Sequence, residues 1–182
     1  MEYLDIVDEH GQPTGEIVSR TLAHTKGIRH RTAHIWIVRR ENEHFQVLMQ
    51  KRAMSKDSFP GKYDTSSAGH IQAGDEPLAS GLRELVEELG LHAKPEDLAF
   101  AGCIHGNFAE KFHGKIFRDN EIAFVYIYQQ PVDIETLVLQ KEEVESVRWF
   151  DLEETYRNCR NRNTQFCAPV PGLEVVRQYL YS

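Results

Sequence analysis

Residues 69–91 read Gly69-His70-Ile71-Gln72-Ala73-Gly74-Asp75-Glu76-Pro77-Leu78-Ala79-Ser80-Gly81-Leu82-Arg83-Glu84-Leu85-Val86-Glu87-Glu88-Leu89-Gly90-Leu91, and they contain the clearest pattern in the chain. Four leucines repeat at helical spacing and predict an amphipathic helix over residues 77–89: Leu78, Leu82, Leu85 and Leu89. Pro77 suits the first turn of this helix and Gly90 suits its C-terminal cap.

Three glutamates of the same helix are unfavourably placed. Glu84, Glu87 and Glu88 stand at i, i+3 and i+4, so we expect them on one face, roughly opposite the leucine stripe. Like charges at this spacing cost roughly 0.2–0.5 kcal/mol per pair, and the negative end of the helix dipole adds to that cost. Arg83 can pair with Glu87 but cannot neutralise three acids. A bound Mg2+ or Mn2+ would do so, because both ions prefer oxygen ligands. The alternative is a solvated acidic helix face.

The context of the glutamates favours the metal. The stretch resembles the Nudix box, Gly-x5-Glu-x7-Arg-Glu-U-x-Glu-Glu-x-Gly-U with U a bulky aliphatic residue, and only Asp75 departs from it, standing where the family has Glu. The resemblance implies a mixed α+β fold, the Nudix α/β/α sandwich, and hydrolysis of a nucleoside diphosphate linked to another group or of a related small diphosphate.

The resemblance also implies roles for individual residues. Glu84 and Glu88 would ligate the metal, and the backbone carbonyl of Ala68 could complete its coordination. Glu87 would ligate a second metal or orient the attacking water. The reaction needs a carboxylate that accepts a proton from water, and the sequence leaves Glu87 and Glu121 open as candidates. The catalytic residues predicted from the sequence are Glu87, Glu121 and the box arginine, Arg83.

The rest of the chain contains more strands than helices. Apolar runs and turn signals predict strands at 3–8, 15–19, 32–39, 44–51, near 98–107, near 120–130 and at 147–150. Residues 151–161 and 172–181 are predicted to be helical. We expect a single domain over 1–182, with a hairpin and metal-binding loop region at 1–30, the Nudix box at 69–91 and C-terminal helices at 151–182. Those last helices either cap the sheet or form a homodimer contact.

Composition restricts the classes of partner. The formal net charge is -7, which disfavours binding to a nucleic-acid polymer. Basic residues are frequent in the first third of the chain, so a local basic pocket for a small phosphorylated ligand fits better. No apolar run is long enough to cross a membrane. Three cysteines without a C-x-x-C pair and an N-terminus without signal-peptide features lead us to expect a cytoplasmic protein.

A second resemblance extends over about residues 4–150. Segments such as Gln50–Lys56, Phe59–Tyr63, Ser67–His70, Asp119–Glu121 and Val147–Asp151 look like the branch of the superfamily close to type I isopentenyl-diphosphate isomerase. The resemblance implies a second metal site formed by His24, His30, His70, Asp119 and Glu121, and a diphosphate bound by Arg52 and Lys56.

One residue argues against isomerisation. The isomerase carries a cysteine just before its Gly-His pair, whereas this chain has Ala68, which has no proton to transfer. We therefore favour Mg2+-dependent (or Mn2+-dependent) hydrolysis of a small diphosphate. The alternatives are an isomerase-like proton-transfer enzyme and a non-catalytic module that binds a diphosphate ligand.

Overall fold

The computed structural model describes all 182 residues of the chain. At the N-terminus, β1 (Tyr3–Val7) and β2 (Pro13–Ser19) form a separate antiparallel hairpin, close to the predicted strands. A short helix, α1 (Arg20–Lys26), follows; the Ser19 side chain caps its start and Gly27 ends it in a left-handed conformation. The sequence did not predict α1, because seven residues are too few to display a helical apolar stripe.

The central sheet is mixed and has seven strands. The strands are β3 (His30–Glu41), β4 (His44–Arg52), β5 (Tyr63–Asp64), β6 (Ser67–His70), β7 (Leu98–Phe112), β8 (Lys115–Tyr128) and β9 (Val144–Asp151). The main path of the sheet runs β5-β4-β3-β8-β7, while β6 pairs with the first half of β3 and β9 pairs with β4. Only β3 and β8 run parallel; the other pairs are antiparallel.

Helices cover both faces of this sheet, as the fold prediction required. On one face of the sheet, Ala33, Ile35 and Ile37 of β3 pack against α2 (Pro77–Leu89). The α2 side chains Leu85 and Leu89 are fully buried in this contact. The opposite face carries Trp36 and packs against α3 (Leu152–Arg160) and α4 (Val170–Tyr181). The C-terminal helices therefore cap the sheet, and the layers form an α/β/α sandwich. None of the helices combines the length and apolar character needed to cross a bilayer.

The predicted bounds of α2 agree with the structure, and those of the longest hairpin do not. Pro77 begins α2 and Gly90, in the left-handed conformation, ends it. The strands expected near 98–107 and 120–130 are longer, because β7 and β8 continue pairing up to Phe112 and Lys115. This extension is exposed on both faces over much of its length, so it lacks the apolar alternation from which strands are predicted.

Candidate functional site

Most of the residues singled out in the sequence line one cleft of about 760 Å³. Elements from distant parts of the chain enclose it: α1, β3, β6, α2, the loop after β4 and the β7–β8 hairpin. The predicted residues on its wall are His24, Arg52, Lys56, Ala68, His70, Glu84, Glu87, Glu88, Asp119 and Glu121. Two predicted residues, Arg83 and His30, lie beside this wall without lining it.

The first part of the cleft wall is formed where α2 lies across β6. Glu84 rests directly over Gly69, and a Cβ atom added to that glycine would overlap the glutamate carboxylate. The side chain of Glu84 is only 14% exposed. Burial raises the pKa of the Glu84 carboxyl, and the neighbouring guanidinium of Arg83 offsets part of this rise. The absence of a side chain at Gly69 therefore leaves the space that the Glu84 carboxylate occupies.

The position of Glu88 differs from the one predicted from helix periodicity. We expected it on the solvent side of α2, opposite the leucines, but it is only 5% exposed and points into the sheet. One of its carboxylate oxygens, Oε2, accepts hydrogen bonds from Gln50 Nε2 (3.0 Å), Ser67 Oγ (2.7 Å) and the Ala68 N–H (3.2 Å). Burial raises the pKa of the Glu88 carboxyl to about 7, although the donors on Ser67 and Ala68 act against this.

The two remaining residues that the box predicts at the site are Glu87, on the cleft wall, and Arg83, beside it. The Glu87 side chain is 53% exposed and forms an ion pair with Arg83, with Nε–Oε1 at 3.8 Å. Arg83 also donates to Asp75 Oδ2 (2.8 Å), to Glu84 Oε1 (3.2 Å) and to the carbonyl of His70 (3.0 Å). Arg83 therefore links α2 to β6 from behind the cleft. Asp75, the residue that departs from the box, is long enough to make the ion pair with Arg83.

The second part of the wall is the group of histidines and acids. His24 Nε2 and His70 Nε2 are 3.0 Å apart, and Asp119 Oδ1 lies 3.5 Å from His24 Nδ1 and 3.6 Å from His30 Nε2. The ligand atoms of His24, His30 and His70 lie within 4.8 Å of one another, as do those of His30, Asp119 and Glu121. The five residues predicted as a set are therefore brought together by the fold.

The protonation of these imidazoles suits a metal ion. His24 Nδ1 and His30 Nδ1 contact the backbone carbonyls of Arg118 and Ile28, so each must carry its proton on Nδ1 and leave Nε2 with a lone pair. Burial and the nearby His30 lower the pKa of His24 to about 4, and burial also lowers the pKa of His30 and, more strongly, of His70. His30 Nε2 and Asp119 Oδ1 are buried without a hydrogen-bond partner. Neutral imidazoles, and buried nitrogen and oxygen atoms with free lone pairs, are suitable ligands for a bound cation.

His34 belongs to the site and was missed in the sequence. It follows His30 and Thr32 at every second position of β3, so all three side chains point to the same face. His34 Nε2 lies 3.4 Å from Glu121 Oε1. Burial alone would raise the pKa of the Glu121 carboxyl, but the hydrogen bond and charge of His34 lower it. The H-x-T-x-H alternation in residues 30–34 is the signal that could have identified His34.

The two predicted phosphate ligands are in the cleft, but each already has an acidic partner. Arg52 donates to Asp64 Oδ2 (3.0 Å) and, through two other nitrogens, to Ser58. Lys56 forms an ion pair with Glu143, whose side chain is 35% exposed. A phosphate would therefore compete with Glu143 for Lys56.

The lining of the cleft is strongly anionic. Three lysine or arginine side chains, Arg20, Arg52 and Lys56, together with the His34 imidazole, face eleven carboxyl groups: Glu2, Asp57, Asp64, Glu84, Glu87, Glu88, Glu110, Asp119, Glu121, Glu142 and Glu143. A cleft with this balance repels an anionic ligand unless divalent cations enter with it. This charge excess, together with the donor geometry, indicates a cation-binding site.

Comparison with known sequences identifies the family of this chain. The NUDIX domain family matches residues 28–166. An uncharacterized Nudix hydrolase of Clostridium acetobutylicum is 40% identical over 161 residues, which cover 88% of this chain and 75% of that protein. An isopentenyl-diphosphate Delta-isomerase of Streptomyces avermitilis is 30% identical over 129 residues, covering 71% of this chain and 63% of that protein.

A solved structure extends the likeness to the whole fold. A crystal structure of a Deinococcus radiodurans protein superimposes with a TM-score of 0.68, covering 98% of this chain and 99% of that one at 18% identity. At that identity the likeness concerns the fold alone.

Proposed function

This chain is a member of the Nudix hydrolase family, and from that membership we propose that it is a Mg2+-dependent or Mn2+-dependent hydrolase of a small diphosphate. The substrate is a nucleoside diphosphate linked to another group, or a related diphosphate. The observation that carries the proposal is the position of Glu84 and Glu88 side by side in a cleft of eleven carboxylates. Such a cleft accepts a diphosphate only together with divalent cations.

The ligands assigned to the first metal are Glu84 and Glu88, with the carbonyl of Ala68 as a third. Once bound, a divalent ion supplies charge neutralisation for the phosphate oxygens and lowers the pKa of a water. Glu84 is oriented for this task by Arg83, and Glu88 by the donors on its Oε2. We therefore assign Arg83 a positioning role.

The proton acceptor is assigned to Glu87. Its carboxylate is on the cleft wall and exposed, and its ion pair with Arg83 is long at 3.8 Å, so it is free to approach a water. Glu121, the other candidate, is only partly exposed and lies beside His34, and this contact lowers the pKa of its carboxyl, which makes it a weaker base. Glu121 suits the second metal set better.

We propose that His24, His30, His70, Asp119 and Glu121 hold a second cation in the same cleft. Imidazole nitrogens are softer ligands than carboxylates, so this set favours a transition metal over Mg2+. Two cations would offset much of the negative charge that the cleft presents to a diphosphate. Lys56 and Arg52 would then bind the outer phosphate, with Lys56 leaving Glu143.

The alternative function is isomerase-like proton transfer, which the histidine and acid set favours. It needs an acid across the cleft from Glu121. Ala68 cannot serve, and the thiol that does line the cleft, Cys167, has a pKa well above its usual range because it is buried. Hydrolysis therefore accounts for more of the site than isomerisation does.

The decisive experiment incubates the protein with Mg2+ and a panel of nucleoside and isoprenyl diphosphates, and identifies the phosphate-containing products. Hydrolysis by the wild-type chain and its loss in Glu88→Gln would support the proposal. Deuterium uptake from solvent into isopentenyl diphosphate, without hydrolysis, would favour the isomerase alternative. Ligand binding without turnover of any compound, in a protein that binds Mg2+, would indicate the non-catalytic module.

A further inference from the structure

Three hydrogen bonds converge on one oxygen of Glu88. The donors are the amide of Gln50 on β4, the hydroxyl of Ser67 and the backbone N–H of Ala68 on β6, and all three reach Oε2. Gln50 is 3% exposed and Ser67 is fully buried, so neither donor is satisfied by bulk water. Glu88 is therefore fixed by two strands that belong to the sheet rather than to its own helix.

The second oxygen of Glu88 is left without a hydrogen bond from the protein. Oε1 receives none of the three donors, and the residue lines the cleft. A partial rotation of the carboxylate would break up to three buried hydrogen bonds, each of which is costly to leave unmade, and a half-turn would only exchange its two equivalent oxygens. The arrangement therefore distinguishes one oxygen that is anchored from one that is available to a ligand.

We infer that Gln50 and Ser67 are positioning residues: by holding Oε2 of Glu88, they present Oε1 as the atom that binds the metal. This inference rests on the proposed function, in which Glu88 is a ligand of the first cation. Gln50 and Ser67 belong neither to the three glutamates of α2 nor to the histidine and acid set.

A purely structural role for the network does not explain its composition. The neighbouring helix positions that face the sheet, Leu85 and Leu89, are fully buried and apolar. A leucine at 88 would extend that packing and would need no donors from Gln50 or Ser67. A buried carboxylate costs free energy unless it is hydrogen-bonded and its charge is balanced. Donors on one oxygen only, with the other facing the cleft, are the pattern of a supported metal ligand.

The test measures Mn2+ binding to the metal-free full chain by electron paramagnetic resonance. Glu88→Gln first identifies which Mn2+ binding event belongs to the site formed by Glu84 and Glu88, because the histidine and acid set can also bind Mn2+. Ser67→Ala and Gln50→Met then each remove one donor. The matched control is Ser66→Ala, because Ser66 is equally buried, neighbours Ser67, and bonds to the backbone of Ile37 and Leu48 instead of to Glu88.

We expect Ser67→Ala and Gln50→Met to weaken this Mn2+ binding event by about tenfold, and Ser66→Ala to leave it unchanged. The inference is overturned if both donor variants bind Mn2+ as tightly as the wild type, or if Ser66→Ala weakens binding as much as they do. If Glu88→Gln removes no binding event, the metal assignment of the proposed function fails instead. Thermal unfolding of each variant separates a change in affinity from a loss of fold.

Discussion

Gly69 on β6 and Glu84 on α2 are in such close contact that the glycine's missing side chain is the space for the glutamate carboxylate. The backbone of Gly69 does not adopt the left-handed conformation, so an alanine here would displace the Glu84 carboxylate without straining the backbone. The preference for glycine at the start of the box is therefore steric, and it connects the first residue of the motif to the first of the proposed metal ligands.

The Gly69→Ala variant should consequently displace Glu84 and lose hydrolytic activity. A displacement of about 1 Å at a reacting centre can cost about 100-fold in rate, and we expect a fall in kcat of that order. The matched control is Gly81→Ala in the same motif, where an added Cβ would meet Ile35 at an ordinary 3.4 Å. Gly81→Ala should keep its rate, and its stability should not fall, because alanine is the better helix former. Equal activity in both variants would contradict the steric argument.

The stability of the metal-free protein should depend on Glu88 and on pH. Since burial raises the pKa of this carboxyl from 4.5 to about 7, the folded chain keeps a proton that the unfolded chain releases in that range. The free energy of unfolding therefore falls as pH rises from 4.5 to about 7. At about 1.4 kcal/mol per pKa unit, the loss is on the order of 3 kcal/mol.

Glu88→Gln cannot ionise and should escape this loss. In the presence of a chelator, denaturant titrations should find the variant more stable than the wild type at pH 8 and similar to it at pH 4.5. Added Mg2+ should stabilise the wild type and not the variant. The same stability difference at both pH values would show that the buried charge does not cause it.

Removing the acidic partner of Lys56 should improve substrate binding. In Glu143→Gln the ammonium is no longer paired with a carboxylate, and the cleft loses one repulsive charge, so KM for a diphosphate should fall. A gain of about 1 kcal/mol for a partly exposed pair corresponds to about fivefold in KM. Glu145→Gln is the control, because it releases Lys51 at a position outside the cleft. A KM that is unchanged in Glu143→Gln, or lowered equally in both, would exclude Lys56 as a phosphate ligand.

The histidine and acid set should bind a transition metal independently of the Nudix box. Co2+ added to the metal-free chain should give visible absorption bands of a nitrogen-containing site, and these bands should weaken strongly in His70→Ala. His92→Ala, which removes an exposed histidine, should leave them intact. Glu88→Gln should also retain the bands, because Glu88 belongs to the other ligand group. Bands that persist in His70→Ala would remove His70 from the set.

The sequence predicted those parts of the molecule in which the information is local. Helix α2 is predicted within its observed bounds because its leucines, its first-turn proline and its capping glycine all lie in one stretch. β3 and β4 were recognised because each contains a run of apolar residues and because polar residues at 40–43 separate the two runs. β5 and β6 were missed because two and four residues show no periodicity, even though β6 supplies Ser67, Ala68 and Gly69.

The site was predicted less completely, because tertiary contacts decide it. The family motif identified Glu84, Glu87 and Glu88, but helix periodicity assigned Glu88 to the exposed face, and only the contact with β4 and β6 buries it. Gln50 has no local feature that distinguishes it from any polar strand residue. Its importance follows entirely from the approach of a helix that lies far along the chain.

His30 and Glu121 are direct partners across the parallel strands β3 and β8, although β4 to β7 and α2 come between them in the sequence. Parallel pairing of this kind closes a long loop, and the loss of conformational entropy on closure opposes the pairing until the contacts between the strands have formed. The proposed imidazole and carboxylate ligands therefore stand side by side only once β3 and β8 have paired. A chain in which this pairing has not formed holds them apart, so we expect the full set to capture a transition metal only in the native topology.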